Sequence, residues 1–147
     1  MHGLNDYPVS ALLAGRFETD RLLVHEVFGR QGWRLFEAPD RRRALECLGK
    51  HPVQVVVAES DIPGWNWKQI LSELRRLAPA PQLVVTSRTA DDYLWAEVLN
   101  VGGFDVLAQP LERDEVARVI ASARRHFDVR PGQAAGAQAA RAAAIVA

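Results

Sequence analysis

Five short apolar runs alternate with longer segments of helical periodicity along this chain, and no other feature restricts its possible folds as much. The runs are residues 10–14, 33–38, 53–58, 82–86 and 104–108. Strands that alternate with helices predict a parallel sheet with helices on both faces. Right-handed crossovers limit the topologies, and 2-1-3-4-5 is a common doubly wound order for five strands. The sequence therefore predicts an α/β fold with a doubly wound, five-stranded parallel sheet of that order.

The segments between the runs carry helix signals. Asp40 is a good N-cap for the second helix, and Gly102 suits a left-handed C-terminal cap of the fourth. We expect one helix that ends near residues 29–32, one that begins after Asp40, and three at about 67–77, 90–101 and 113–127. In the last of these, the apolar residues follow the spacing of one buried helix face.

Changes in composition suggest the domain organisation. Residues 10–128 carry the alternating pattern and are predicted to form one domain, preceded by an N-terminal extension of residues 1–9. After Pro131 and Gly132 the sequence becomes rich in alanine, and we expect residues 129–147 to be a tail or a linker. The linker interpretation leaves open a further domain beyond residue 147.

Composition and charge argue against several classes of protein. Lys plus Arg and Asp plus Glu number 18 each, so the chain lacks the overall positive charge that drives nucleic-acid binding. No apolar run approaches the ~20 residues of a membrane span, and the first residues lack the pattern of a secretory signal. Cys47 is the only cysteine, and the four histidines lack metal-ligand spacing. We expect a cytoplasmic protein without a metal site that binds neither nucleic acid nor membranes.

Four stretches resemble the response-regulator receiver domains of bacterial two-component signalling. They are "FGRQGWRLFEAPDRRRALECL", "ESDIPG", "LVVTS" and "GGFDVLAQPL", and they keep the order and spacing of that family. The resemblance covers about residues 11–127. It implies a flavodoxin-like (βα)5 fold and a role in phosphorelay signal transduction, with a histidine kinase or an output protein as a partner.

The resemblance also indicates where the phosphorylation site of the family falls in this chain. The phosphoacceptor Asp at the end of the third strand corresponds to Glu59, and the pair of acids that holds Mg²⁺ corresponds to Gly15 and Arg16. The hydroxyl that binds the phosphoryl group is retained as Thr86. The Lys before the fifth-strand proline corresponds to Gln109. We refer to these five residues as the degenerate site.

These replacements argue against phosphorylation. Mg²⁺ prefers hard oxygen ligands, whereas Gly15 has no side chain and Arg16 is positively charged. Glu59 is one methylene longer than Asp, and Gln109 cannot neutralise developing charge as Lys does. We expect a pseudo-receiver without catalysis, cofactor or metal that acts through protein–protein contacts. Two alternatives stay open: a phospho-responsive receiver that uses Glu59 or Asp61, and the N-terminal part of a longer regulator with an output domain.

A carboxylate at the end of a buried strand requires a partner or a task. We expect Glu59 to form a charged hydrogen bond with the side chain of Arg16. In one alternative Glu59 reaches Thr86 and imitates a phosphorylated Asp, and in another it faces solvent without a role. Glu18 and Asp20 also follow the first strand, and we assign them to the start of the first helix, where acids are favoured.

Aromatic residues suggest two further features. Trp65 and Trp67 in the loop "GWNWK" either cover the cleft or anchor a partner. On the fourth helix, Leu94, Val98 and Val101 match inward positions of the family. That comparison leaves Tyr93, Trp95 and Leu99 toward the outside, beside Val106, which replaces the aromatic switch residue of the fifth strand. This face is predicted to bind a partner or to form a homodimer, unless its side chains merely cover the edge of the core.

Overall fold

The computed structural model describes residues 8–127. Its strands are β1 Ser10–Ala14, β2 Arg34–Ala38, β3 Val55–Glu59, β4 Asp61–Ile62, β5 Trp65–Asn66, β6 Gln82–Ser87 and β7 Asp105–Ala108. Five of them form a parallel sheet in the order β2-β1-β3-β6-β7. When only these five are counted along the chain, the order is 2-1-3-4-5. The predicted fold class and strand order are therefore confirmed.

Five helices connect the strands, as the alternation predicts. They are α1 Arg21–Gln31, α2 Arg41–Lys50, α3 Trp67–Leu74, α4 Asp92–Asn100 and α5 Arg113–Phe127. Asp40 caps α2 by accepting a hydrogen bond from the backbone N–H of Arg43, as predicted. The prediction for α3 was too long, because the chain leaves the helix in tight turns after Leu74, before Pro79 and Pro81.

Two apolar layers enclose the sheet because successive strand residues point to opposite faces. Val55 and Val57 pack with α1 and α5 in one layer, whereas Val56 and Ala58 pack with α2, α3 and α4 in the other. β3 is therefore covered on both sides, which explains its continuous apolar sequence. This central position also brings the end of β3 to the middle of one edge of the sheet.

A small hairpin between β3 and α3 was not predicted. Ile62 pairs with Trp65 across a turn in which Gly64 has φ 71°, a conformation that favours glycine. Both paired side chains are buried in the second apolar layer. The hairpin therefore directs the loop aromatics inward.

The predicted extension and tail are only partly covered by this description. Residues 1–7 and 128–147 lie outside the described residues, so the tail or linker at 129–147 stays a prediction. Val9, which we assigned to the extension, is buried in the first apolar layer. Among residues 8–127, no helix has the length and apolar character needed to cross a membrane.

Candidate functional site

The degenerate site lies at the edge of the sheet where the parallel strands end. Gly15 follows β1, Glu59 ends β3, Thr86 lies near the end of β6, and Gln109 follows β7. Glu59 and Thr86 are direct neighbours in the pairing of β3 with β6. In an open α/β sheet, this edge is where ligands bind.

Glu59 is bound by the backbone of the loop after β1. The backbone N–H of Arg16 donates a 2.9 Å hydrogen bond to Glu59 Oε1. The side chain of Arg16 is exposed, and it forms no ion pair with Glu59 among the contacts of the described residues. The predicted Arg16–Glu59 side-chain pair is therefore wrong: the Glu59 carboxylate accepts from the backbone N–H of Arg16, and the Arg16 side chain is not its partner.

Gly15 is matched to the length of the Glu59 side chain. A Cβ atom at Gly15 would lie 2.9 Å from both Cδ and Cγ of Glu59, and nearer still to Oε1. Real Cβ atoms do not approach other heavy atoms so closely, so any other residue at this position would displace Glu59. The backbone of Gly15 also has φ 121°, which L-amino acids rarely adopt. The glutamate thus occupies the space beside β1 that only a glycine leaves open.

Thr86 takes part in the sheet and makes no hydrogen bond with Glu59 in the described structure. It is fully buried, and its hydroxyl donates a 3.4 Å bond to the carbonyl oxygen of Ala58. The bonds of Glu59 and Thr86 therefore lead to different partners. The interpretation in which Glu59 reaches Thr86 as a phosphoaspartate mimic is not supported by this geometry.

Gln109 forms a hydrogen bond with the buried carboxylate of Asp20, a residue that we had assigned to the start of the first helix. Its side-chain N–H donates to Asp20 Oδ2 at 3.1 Å, and the backbone N–H of Leu111 donates to Asp20 Oδ1 at 3.2 Å. Asp20 precedes α1 but makes no side-chain cap bond with it. Its buried carboxylate instead joins the loop after β1 to the loop after β7. No local pattern could have revealed this, because 89 positions separate Asp20 and Gln109.

The loop between β1 and α1 is also held by Phe17. This residue has φ 48°, which is unusual for a bulky side chain, and it is fully buried in the first apolar layer. Its carbonyl accepts hydrogen bonds from the backbone N–H groups of Asp20 and Arg21. Burial and hydrogen bonding thus fix the backbone that presents the N–H of Arg16 to Glu59.

Trp65 and Trp67 are buried, which contradicts the alternative that they are exposed anchors for a partner. Both pack in the second apolar layer, and Trp65 Nε1 donates a 2.9 Å bond to Glu73. The other carboxylate oxygen of Glu73 binds Arg41. Burial alone would raise the pKa of Glu73, but hydrogen bonds from Arg41 and Trp65 outweigh it and lower that pKa. The aromatics of this loop therefore stabilise the interior.

The predicted interaction face on α4 is smaller than expected. Val98 and Leu99 are the buried residues of α4, and Val101, predicted to point inward, is exposed. Leu99 was therefore wrongly placed on the surface. Trp95 and Val106 are half-buried, and Trp95 Nε1 donates a 2.9 Å bond to Asp105. Of the residues predicted for this face, Tyr93 is the exposed one.

Side chains that could bind a metal do not cluster in the described part of the chain. Within residues 8–127, no group of three or more His, Cys, Asp or Glu side chains is arranged to hold an ion. The described contacts of the site are hydrogen bonds within the chain, at the carboxyl edge of a doubly wound sheet. Fold and site together define a protein of the receiver class.

The chain belongs to the response-regulator receiver domains. The model of the family "Response regulator receiver domain" matches residues 18–121, more than half of the chain. Sporulation initiation phosphotransferase F of Bacillus subtilis is 24% identical over 96 residues, which are 65% of this chain and 77% of that protein. The transcriptional regulatory protein MalR of the same organism is 28% identical over 82 residues, or 56% of this chain, and the match covers only 35% of MalR.

Solved structures support the same fold. The signal receiver domain of an HD domain-containing protein from Pseudomonas fluorescens Pf-5 aligns with a TM-score of 0.71 and 20% identity. The alignment covers 82% of this chain and 97% of that one. At this level of identity the likeness shows the fold alone. Because the family model matches residues 18–121, the chain is a receiver domain of two-component signalling, as the resemblance predicted.

Proposed function

We propose that this protein is a phosphorylation-independent receiver domain that acts by contact with other proteins. The observation that carries the proposal is the fit between Glu59 and Gly15. The Glu59 carboxylate lies against the α-carbon of Gly15 and is bound by the N–H of Arg16. It therefore occupies the space beside β1 in which the acids implied by the resemblance would hold a metal.

The residues present do not fit a Mg²⁺ ion. Such an ion requires about six oxygen ligands at roughly 2.0–2.1 Å. Gly15 offers no side-chain ligand, and Arg16 supplies a cation where the resemblance implies a carboxylate. Asp20, the buried acid nearest in sequence, already accepts two N–H bonds from Gln109 and Leu111. Without a bound metal, the charge that develops during phosphoryl transfer is left unneutralised.

The presence of Gln109, where the resemblance implies a lysine, also argues against phosphoryl transfer. Gln109 is neutral, and its side-chain N–H donates to Asp20. It therefore supplies no charge to a phosphoryl group on Glu59, and one of its two N–H donors is already bound to Asp20. Phosphoryl transfer depends mostly on positioning and charge neutralisation, and this site supports neither.

A Mg²⁺ titration tests the proposal. Trp67 lines the cleft next to Ser60 and Ser87, so its fluorescence reports on this edge. We expect no saturable change in fluorescence or in the unfolding midpoint up to millimolar Mg²⁺, when compared with NaCl of equal ionic strength. An ion present at about 100 times its Kd would stabilise the fold by about 2.7 kcal/mol. A saturable shift that NaCl does not reproduce would contradict the proposal.

For the contact surface, we propose the side of α4 that carries Tyr93. Tyr93 is 79% exposed, whereas Trp95 and Val106, on α4 and β7, are half-buried. Large exposed aromatics are enriched at the centres of interfaces. A histidine kinase, an output protein or a second copy of this chain are the partners that the family implies.

A paired substitution tests the homodimer on this surface. Leu22, on α1, is also 79% exposed and is the matched control. We expect the parent to sediment as a dimer, Tyr93→Glu to sediment as a monomer, and Leu22→Glu to behave as the parent, because only the first places a charge in the contact. A parent that is monomeric at every concentration, or an equal effect of the two substitutions, argues against the dimer.

Two further statements stay predictions. The cytoplasmic location rests on sequence composition alone. The interpretation as part of a longer regulator is motivated by MalR, of which this chain spans about a third. The reading frame after codon 147 decides the second point.

A further inference from the structure

An apolar groove lies at the edge of the sheet opposite the degenerate site. All five sheet strands begin at this edge, and all five helices end there. The groove has a volume of about 350 Å³. Its apolar lining includes Leu48, Val53, Leu77, Pro79, Pro81 and Phe127. It is formed by the C-terminal ends of α2 and α5 and by the loop that follows α3.

The loops at this edge contain basic residues and no acids. They comprise residues 32–33, 51–54, 75–81 and 101–104, and their charged or titratable side chains are His51, Arg75 and Arg76. Lys50, the last residue of α2, adds a further exposed cation. The loops at the opposite edge contain two arginines but six acids: Glu18, Asp20, Asp40, Asp61, Asp91 and Glu112. The chain has no net charge, but the loops at one end of the sheet are basic and the loops at the other end are mostly acidic.

Favourable contact with the helix ends explains part of this pattern. Cations at helix C-termini are stabilised by the carbonyl dipoles, and Arg75 donates to the carbonyl oxygen of Val101 just after α4. That effect does not account for the apolar groove, whose lining includes His51, the chain neighbour of Lys50, and Leu77, the chain neighbour of Arg76. Leu77 is 37% exposed within the groove. Apolar surface with a basic rim fits a ligand that is both apolar and acidic.

We propose that this groove binds an acidic segment of a partner protein that carries large apolar side chains. Charge complementarity favours this occupant over the chain's own residues 128–147, which contain Asp128 but both Arg130 and Arg141. The concave apolar lining distinguishes the groove from a phosphate-binding surface, which would require cations along its floor. In this proposal, apolar side chains of the partner enter the groove, and its carboxylates meet Lys50 and Arg76, the exposed chain neighbours of the lining residues His51 and Leu77. This contact surface is independent of the degenerate site.

The test uses the full chain and a short synthetic peptide in which Asp and Glu alternate with Leu and Phe. A second peptide replaces each acid with Lys. We expect the acidic peptide to bind, to shift the backbone NMR signals of the groove residues, and to bind more weakly as salt rises. Lys50→Glu combined with Arg76→Glu should weaken binding roughly tenfold, since each surface charge pair contributes up to about 1 kcal/mol. Leu77→Glu should also weaken it.

Matched controls separate the groove from general surface effects. Leu45 is 36% exposed on α2 but does not line the groove, so Leu45→Glu should leave binding unchanged. Arg88→Glu reverses an exposed charge at the opposite edge and should likewise have no effect. Four results would overturn the proposal: no binding at millimolar peptide, equal binding of the Lys peptide, signals that shift only on α4, or self-association that Leu77→Glu abolishes.

Discussion

Gly15 and Glu59 depend on each other through direct contact. The glycine provides both a positive φ and the absence of a side chain, and the glutamate fills the space that results. An aspartate at position 59 would be too short by one methylene to make the same contact with Arg16. The two replacements in the degenerate site are therefore structurally coupled. The free energy of unfolding that is lost by a substitution at position 15 therefore depends on the residue at position 59, and the reverse also holds.

A double-mutant cycle measures this coupling. Gly15→Ala should destabilise the protein by about 3 kcal/mol, because it adds backbone strain and its Cβ displaces Glu59 from the hydrogen bond with the Arg16 N–H. In the Glu59→Ala background, the same change should cost only the strain, about 1 kcal/mol. Urea unfolding gives both values.

Gly32 provides the control for strain alone. It has φ 72°, and a Cβ atom there would meet nothing within 4 Å. Gly32→Ala should therefore cost about 1 kcal/mol whether residue 59 is Glu or Ala. If Gly15→Ala costs the same in both backgrounds, the two residues are not coupled and the account of the site fails.

At the scale of elements, Glu73 joins three parts of the second layer. It lies on α3, binds Arg41 at the start of α2, and accepts from Trp65 in the hairpin. The pKa of Glu73 is lowered in the folded protein. A lowered folded pKa stabilises the fold above the unfolded pKa, and this contribution is lost as the pH falls through the folded value.

Unfolding at several pH values tests this role. The unperturbed carboxyl has a pKa of 4.5. We expect the parent to be more stable than Glu73→Gln above that pH and the difference to shrink as the pH falls below it. Glu46→Gln is the control, because Glu46 is an exposed partner of Arg42 within α2. A difference that does not change with pH would show that ionisation of Glu73 does not contribute.

The elements themselves were predictable where a regular pattern covers a whole strand or helix. The run at 55–58 is apolar throughout because both faces of β3 are buried, and the last helix has a clear apolar stripe. The β4–β5 hairpin was missed because each strand has only two residues, too few for a pattern. On α4, apolar residues occupy several faces, so the sequence left the rotation of the helix undetermined and Leu99 was misplaced.

The sequence predicted which residues lie at the site, but it did not predict which hydrogen bonds they form. Parallel strands bring Gly15, Glu59, Thr86 and Gln109 to one edge, and this follows from the strand order. The bond to Glu59 comes from the main chain of Arg16, which depends on the backbone angles of Gly15 and Phe17. Composition and spacing do not encode such angles. For the same reason, the Gln109–Asp20 contact became visible only in three dimensions.

On the scale of the whole molecule, the two ends of the sheet differ in charge and in the kind of surface they present. The carboxyl edge is acidic and holds the degenerate site, whereas the opposite edge is basic and holds the groove. The proposed contacts on α4 and at the groove need no change at Glu59. Under the proposed function, this receiver domain would signal by binding its partners, without a cycle of phosphorylation and dephosphorylation.

The central claim is that no residue of this protein accepts a phosphoryl group, and intact-mass measurement tests it most directly. The parent is incubated with Mg²⁺ and acetyl phosphate and measured at once, beside a receiver domain whose acidic site is complete. We predict that the control gains a covalent phosphoryl group and that this protein keeps its mass. A phosphorylated species that disappears in Glu59→Gln or in Asp61→Asn would contradict the claim and identify the acceptor.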